Sequence, residues 1–164
     1  MVKLLIIFLF LSFSFLNANE NFVLASQNDV YSLPSESSFV KNKIEDLILN
    51  SKSEINIAMY NFSYKKFAKA LKKASKNGVK VTVLFDKEKI KKDNKIYNYL
   101  KNNGIKTILS DRKMHLKVAI FDNDVAVLGS INWTKESFEE NDEIILFTKD
   151  KKVILKLKNI INKL

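Results

Sequence analysis

One histidine, His115, stands in a chain of 164 residues that carries 28 lysines and arginines and no cysteine. Lys117 follows it by two positions, and Asp122, Ser130, Asn132 and Glu143 lie downstream. Such a set fits the chemistry of a phosphodiester. An imidazole can attack phosphorus while a carboxylate orients it through the other ring nitrogen, and an ammonium with neutral donors can hold the nonbridging oxygens as charge builds. That scheme needs no metal and no cofactor. Asp122, Asp124, Asp142 and Glu143 offer a rival, a divalent-metal hydrolase, because magnesium and calcium prefer oxygen ligands. Their spacing is not diagnostic, however, and Asn-Asp is ordinary turn chemistry.

The elements around these residues decide whether they can meet. HLKVAIFD and VAVLGS flank Asn123-Asp124 as a hairpin. In an extended segment the period of two puts His115 and Lys117 on one face, with Leu116, Val118 and Ile120 on the other. Asp122, five residues beyond Lys117, falls on the opposite face from it. A turn after the second strand would carry Ser130, Asn132 and the run Asn141-Asp142-Glu143 back beside His115.

Upstream, NFVLAS and DVYSLP read as a strand pair, and Pro34 with its serines opens a helix in which Val40, Ile44, Leu47 and Ile48 recur at helical spacing. EINIAMYNF and VKVTVLFD are strands joined by a helix from Tyr64 to Asn77 that Gly78 stops, a βαβ unit. That helix has an apolar stripe of Phe67, Ala70, Leu71 and Ala74, with Lys65, Lys69, Lys72 and Lys76 on a solvated side. A lysine-rich helix near Lys91 to Asn103, the strands IKTILS and EIILFT, and an amphipathic helix from Val153 to Leu164 complete the chain. The fold class is α/β, a mixed and mostly parallel sheet flanked by helices. Trp133 is expected to pack in the core rather than stack on a base, and Tyr60, Phe62 and Tyr64 pose the same choice.

Composition bounds the setting. The length suits one domain, and nothing in the chain marks a linker or a repeat. Lys3, the apolar run Leu4 to Leu16 and the polar Asn17-Ala18-Asn19 have the layout of a secretory signal peptide over residues 1–18, leaving a domain at 19–164. The apolar run is short for a membrane span, although an uncleaved segment would add membrane association. An exported protein, periplasmic, outer-membrane associated or secreted, is the expectation. Without residues 1–18 the chain keeps 27 basic against 18 acidic side chains. That excess suits a polyanion, nucleic acid first among them. The missing cysteines rule out disulfides and thiolate zinc sites.

A lone histidine on a strand is weak evidence of catalysis, so the spaced pattern must carry the case. His115, Lys117 and Asp122 match H-x-K-x4-D, and after six residues Gly129, Ser130 and Asn132 match G-S-x-N. Together they resemble the signature of the phospholipase D superfamily. With GSINWT, Asn141-x-Glu143, INIAMYNF and GVKVTVLFD, the chain is similar to the small, single-motif bacterial endonuclease branch of that superfamily. It departs from some relatives in lacking a Cys/His metal-binding insertion and in placing Ile144 directly after the downstream glutamate.

The resemblance implies a site shared by a homodimer, because one imidazole cannot attack phosphorus and protonate the leaving oxygen at once. It assigns one His115 as nucleophile and the partner's His115 as general acid, later the base that activates water. Lys117, Ser130 and Asn132 become phosphate-binding residues, Glu143 the orienting carboxylate and Asp122 a supporting residue. The expected substrate is DNA or RNA. A phospholipase acting on anionic lipid, or a non-catalytic DNA-binding or uptake module, would use the same frame.

Overall fold

Seven strands pair into one sheet in the computed structural model, which describes residues 28–164. The expected signal peptide at 1–18 and the NFVLAS segment lie outside the described residues. In chain order the elements are β1 (Asn28–Leu33), α1 (Ser37–Asn50), β2 (Glu54–Met59), α2 (Lys65–Lys76), β3 (Lys80–Phe85), α3 (Lys87–Lys92), α4 (Lys95–Asn102), β4 (Lys106–Leu109), β5 (Lys117–Phe121), β6 (Val125–Gly129), α5 (Lys135–Glu139), β7 (Glu143–Thr148) and α6 (Lys151–Ile161). The strands are ordered β1-β7-β6-β5-β2-β3-β4.

The βαβ expectation holds, since β2 pairs parallel with β3 and β3 with β4. The other four pairings are antiparallel, which corrects the expected mostly parallel sheet. A hairpin can only pair antiparallel. The β5–β6 hairpin inserts beside β2, and β7 and β1 continue its alternation outward. DVYSLP therefore forms an edge strand paired with β7.

Patterning explains the layers. Val40, Ile44 and Ile48 of α1 and Phe67, Leu71 and Ala74 of α2 are buried, forming a core with alternate residues of the strands, Ala119, Phe121, Ile145 and Phe147 among them. The complementary residues Val118, Ile120 and Ala126 pack under Ile154 of α6 on the other face. Lys65, Lys69 and Lys76 are exposed, as expected for a solvated helix face. The lysine-rich helix proves to be two, because Asp93-Asn94 interrupts it. Trp133 is packing, 1% exposed and edge-on to Phe62 and Phe67.

The hairpin turn also differs. Asp122 and Asn123 occupy its centre at φ 51° and 53°, with the Asp124 amide donating to the Phe121 carbonyl. Asp and Asn tolerate this left-handed geometry, which twists as the strands do. The Asp122 carboxylate accepts from the backbone amides of Lys52, Ser53 and Glu54 and from the Ser53 hydroxyl, at 2.7 to 3.0 Å. Burial pushes this carboxyl up, but those donors outweigh it and hold it below the usual range.

Asp122 therefore pins the start of β2 to the hairpin at the far end of β5 from Lys117, and it is no catalytic residue. Asp122→Asn should destabilise the fold by about 1–3 kcal/mol, since an amide cannot accept from all four donors. The deficit should shrink as pH falls through the native carboxyl's lowered pKa, because protonated Asp122 loses the same bonds. Chemical denaturation of both proteins at neutral pH and near pH 2 checks this. Equal stability at neutral pH would refute the role.

Candidate active site

His115 sits just before β5, where the chain is already extended but not yet a ladder strand. The Tyr60 amide donates to the Leu116 carbonyl at 2.9 Å, carrying the β2–β5 pairing one step past both strands. That bond places Tyr60 beside His115, ring centroids 4.2 Å apart and tilted by 57°. The predicted alternation holds: Leu116, Val118 and Ile120 pack on the α6 side, while Lys117 meets His115.

Lys117 is 8% exposed. Its Nζ donates to the His115 carbonyl at 3.1 Å and lies 3.3 Å from Nδ1 of the ring. An ammonium has no acceptor to offer, so Nδ1 accepts and the neutral ring carries its proton on Nε2. Desolvation, the Lys117 charge and the further charges of Lys113 and Lys89 hold the imidazole below its ordinary pKa, against a weaker pull from Asp86. Burial likewise pushes the Lys117 ammonium down, with Lys89 adding to this and Glu143 opposing it. The site thus favours a neutral imidazole next to a cation without a bonded carboxylate.

The opposite wall comes from β6 and β7. A Cβ added to Gly129 would stand 2.2 Å from the Ile144 carbonyl oxygen, so only glycine lets β7 approach this closely. The approach allows the Ser130 amide to donate to that carbonyl at 3.1 Å and the Ile144 amide to donate to Ser130 Oγ at 3.2 Å. Ser130 Oγ in turn donates to Glu143. Glu143 is therefore bound to Ser130, and the orienting contacts on His115 come from Lys117 and Tyr60. In the single chain Glu143 thus contacts Ser130 rather than the imidazole.

Asn132 is half-buried on the loop after β6, and its Oδ1 is buried without a donor. The loop itself is fixed by Trp133, whose carbonyl accepts from the Ser63 and Tyr64 amides and whose amide donates to Asn61.

Glu143 and Asp142 lie at the β7 end opposite the hairpin turn of Asp122 and Asp124, so the four carboxylates of the metal alternative do not converge. Among the described residues, no three His, Asp or Glu side chains group as metal ligands.

Neither Asp86 nor Lys89 stands out as a site residue in the sequence. Asp86, 1% exposed, caps α3 by accepting from the Lys89 amide and accepts from the Met114 amide, both at 2.9 Å. It thereby ties the loop of His115 to α3. Lys89 Nζ lies 4.7 Å from the Tyr60 ring centroid and Lys117 Nζ 5.1 Å from it. An aspartate between an apolar strand and a helix is a cap signal.

Comparison with known proteins agrees with this architecture. Residues 44–164 match the family described as "Cardiolipin synthase, PLD-like domain". The chain belongs to this phospholipase D-like family. Among solved structures, NucT from Helicobacter pylori superposes with a TM-score of 0.75 at 32% identity, covering 83% of this chain and 93% of that one. Nuc from Salmonella typhimurium, a phospholipase D family member, gives 0.74 at 27% identity over 83% and 91%. A curated relative, the mitochondrial cardiolipin hydrolase of Mus musculus, is 30% identical over 123 residues, 73% of this chain and 54% of that protein. The chain spans about half the length of the curated relatives it matches.

Proposed function

We propose that the protein is an exported, metal-independent phosphodiesterase, an endonuclease that cleaves DNA or RNA through a phosphohistidine at a site shared by two copies. The observation that carries this is the pairing of His115 with the desolvated Lys117, a nucleophile kept neutral beside a cation built to receive a phosphate oxygen. Likeness to NucT and Nuc over nearly their whole chains supports the nuclease branch.

On this mechanism the entering phosphate draws Lys117 away from Nδ1. The ring exchanges its proton from Nε2 to Nδ1 through solvent, the Nδ1–H donates a hydrogen bond to Glu143 once that carboxylate is released from Ser130, and the freed Nε2 attacks phosphorus. Lys117, Ser130 and Asn132 hold the nonbridging oxygens. The partner's imidazole protonates the leaving oxygen, then activates the water that hydrolyses the phosphohistidine. The unpaired Asn132 oxygen supports a site completed from outside the single chain. Such a buried atom costs about 1–3 kcal/mol, which a donor from substrate or from a second copy would remove.

The test is cleavage of labelled DNA, RNA and anionic phospholipid in EDTA by residues 19–164 and by His115→Asn. Native cleavage of nucleic acid that the variant loses to background is expected. A requirement for added magnesium, or binding without cleavage of any substrate, would overturn the mechanism. A lipid substrate is the second reading, favoured by the family description and by the relatives named mitochondrial cardiolipin hydrolase. Cleavage of lipid alone would establish it.

A further inference from the structure

The cations around His115 outnumber what one phosphodiester requires. A single diester brings one negative charge, and Lys117 already stands ready to receive it. Lys89 and Lys113 both act electrostatically on His115, and Lys89 acts on Lys117 as well. The nearby carboxylates are otherwise engaged. Asp86 spends both oxygens on the backbone amides of Lys89 and Met114, Glu88 pairs with Lys91, and Asp93 accepts from the Lys95 amide. Asp111 stands exposed on the loop before His115, next to the equally exposed Arg112 and Lys113. Asp86 and Glu143 offset part of this positive charge, and a bound anion relieves the remainder.

The position of Lys89 is as specific as its charge. It is half-buried rather than splayed into solvent, and its ammonium is held over Tyr60, the ring that packs on His115. Its backbone is fixed by the Asp86 cap, the residue that also ties down the His115 loop. Lys89 Nζ lies 4.7 Å from the centroid of the Tyr60 ring, which itself lies 4.2 Å from the imidazole centroid, so Tyr60 holds this second cation in the immediate neighbourhood of His115. Beyond it, the exposed Lys87 and Lys92 of α3 continue the positive surface, while Lys91 is paired with Glu88.

We infer that Lys89, held on Tyr60, is a second phosphate subsite that seats the phosphate next to the scissile one, so that the substrate is a nucleic-acid strand running along α3 and the Arg112-Lys113 loop. This rests on the phosphodiesterase reading of His115 and names its substrate class. Cardiolipin also carries two phosphates, but it offers nothing for the cations beyond the second.

The test measures single-stranded oligonucleotide binding against salt, using His115→Asn protein with and without Lys89→Met, and cleavage kinetics in the His115 background. Loss of one phosphate contact should lower the slope of log affinity against log salt by about 0.7 for a single strand. Lys89→Met should raise KM for the oligonucleotide severalfold, with a smaller effect on bis(p-nitrophenyl) phosphate, while Lys89→Arg should restore the slope. Thermal melting confirms that the variants are folded.

An unchanged slope in protein that binds and cuts the oligonucleotide overturns the subsite and leaves the nuclease intact. Equal losses on the oligonucleotide and the small diester also overturn it, since Lys89 would then act on the imidazole. Failure of the parent protein to bind or cut any oligonucleotide overturns the nuclease reading itself. Lys89-dependent turnover of cardiolipin vesicles but not phosphatidylglycerol vesicles, with no effect on oligonucleotides, assigns the second phosphate to a lipid and removes the strand.

Discussion

Co-refolding wild-type protein with a tenfold excess of His115→Asn should reduce cleavage per wild-type protomer about tenfold, because random pairing on a twofold axis leaves few wild-type pairs. The expectation follows from a count of one. With a single histidine per chain, a mixed pair has either a nucleophile or a proton donor, never both. Activity should fall with the fraction of wild-type pairs, and a folded excess of an unrelated basic protein should have no such effect. Unchanged activity per wild-type protomer would mean that each chain works alone, and the shared site would have to be abandoned.

Lys117→Met should lower kcat by about 10²–10³, the usual loss when one pre-positioned donor to transition-state charge is removed. Methionine is close to lysine in length and is apolar, so it suits a slot that is 8% exposed, and melting should hold or rise once a desolvated ammonium is gone. The variant also has a signature that mere misfolding would not give. Lys117 is a cation that depresses the His115 pKa, so its removal should raise that pKa toward the ordinary imidazole value. The protonated form then persists to higher pH, and the acid limb of the rate profile moves upward. As the only histidine, His115 gives an unambiguous proton resonance for following this titration. An unshifted titration, or a loss confined to KM, would place Lys117 outside the chemistry.

What could be read in the sequence was what short-range periodicity encodes. Alternation placed His115 and Lys117 together, and the β2–α2–β3 unit followed from an apolar stripe between two apolar runs. Pairing direction across the sheet was not legible, because β7 and β1 are far apart in the chain and nothing local says they meet. Asp122 shows the same limit. Its type and spacing belong to the motif, but only the turn geometry reveals that its carboxylate binds the backbone before β2. Asp86 and Lys89 were missed because they join the site from another crossover, where a capping aspartate and one lysine among many look ordinary. Gly129 was read as a motif letter, and its physical meaning, contact with the Ile144 carbonyl, needs the third dimension.

The pairing of β1 with β7 sets Leu33 opposite Glu143. The first described strand thus braces, from outside, the strand that supplies the site's carboxylate. Loss of β1 would leave β7 as a new sheet edge, with its backbone groups unpaired beside the Ser130–Glu143 contact.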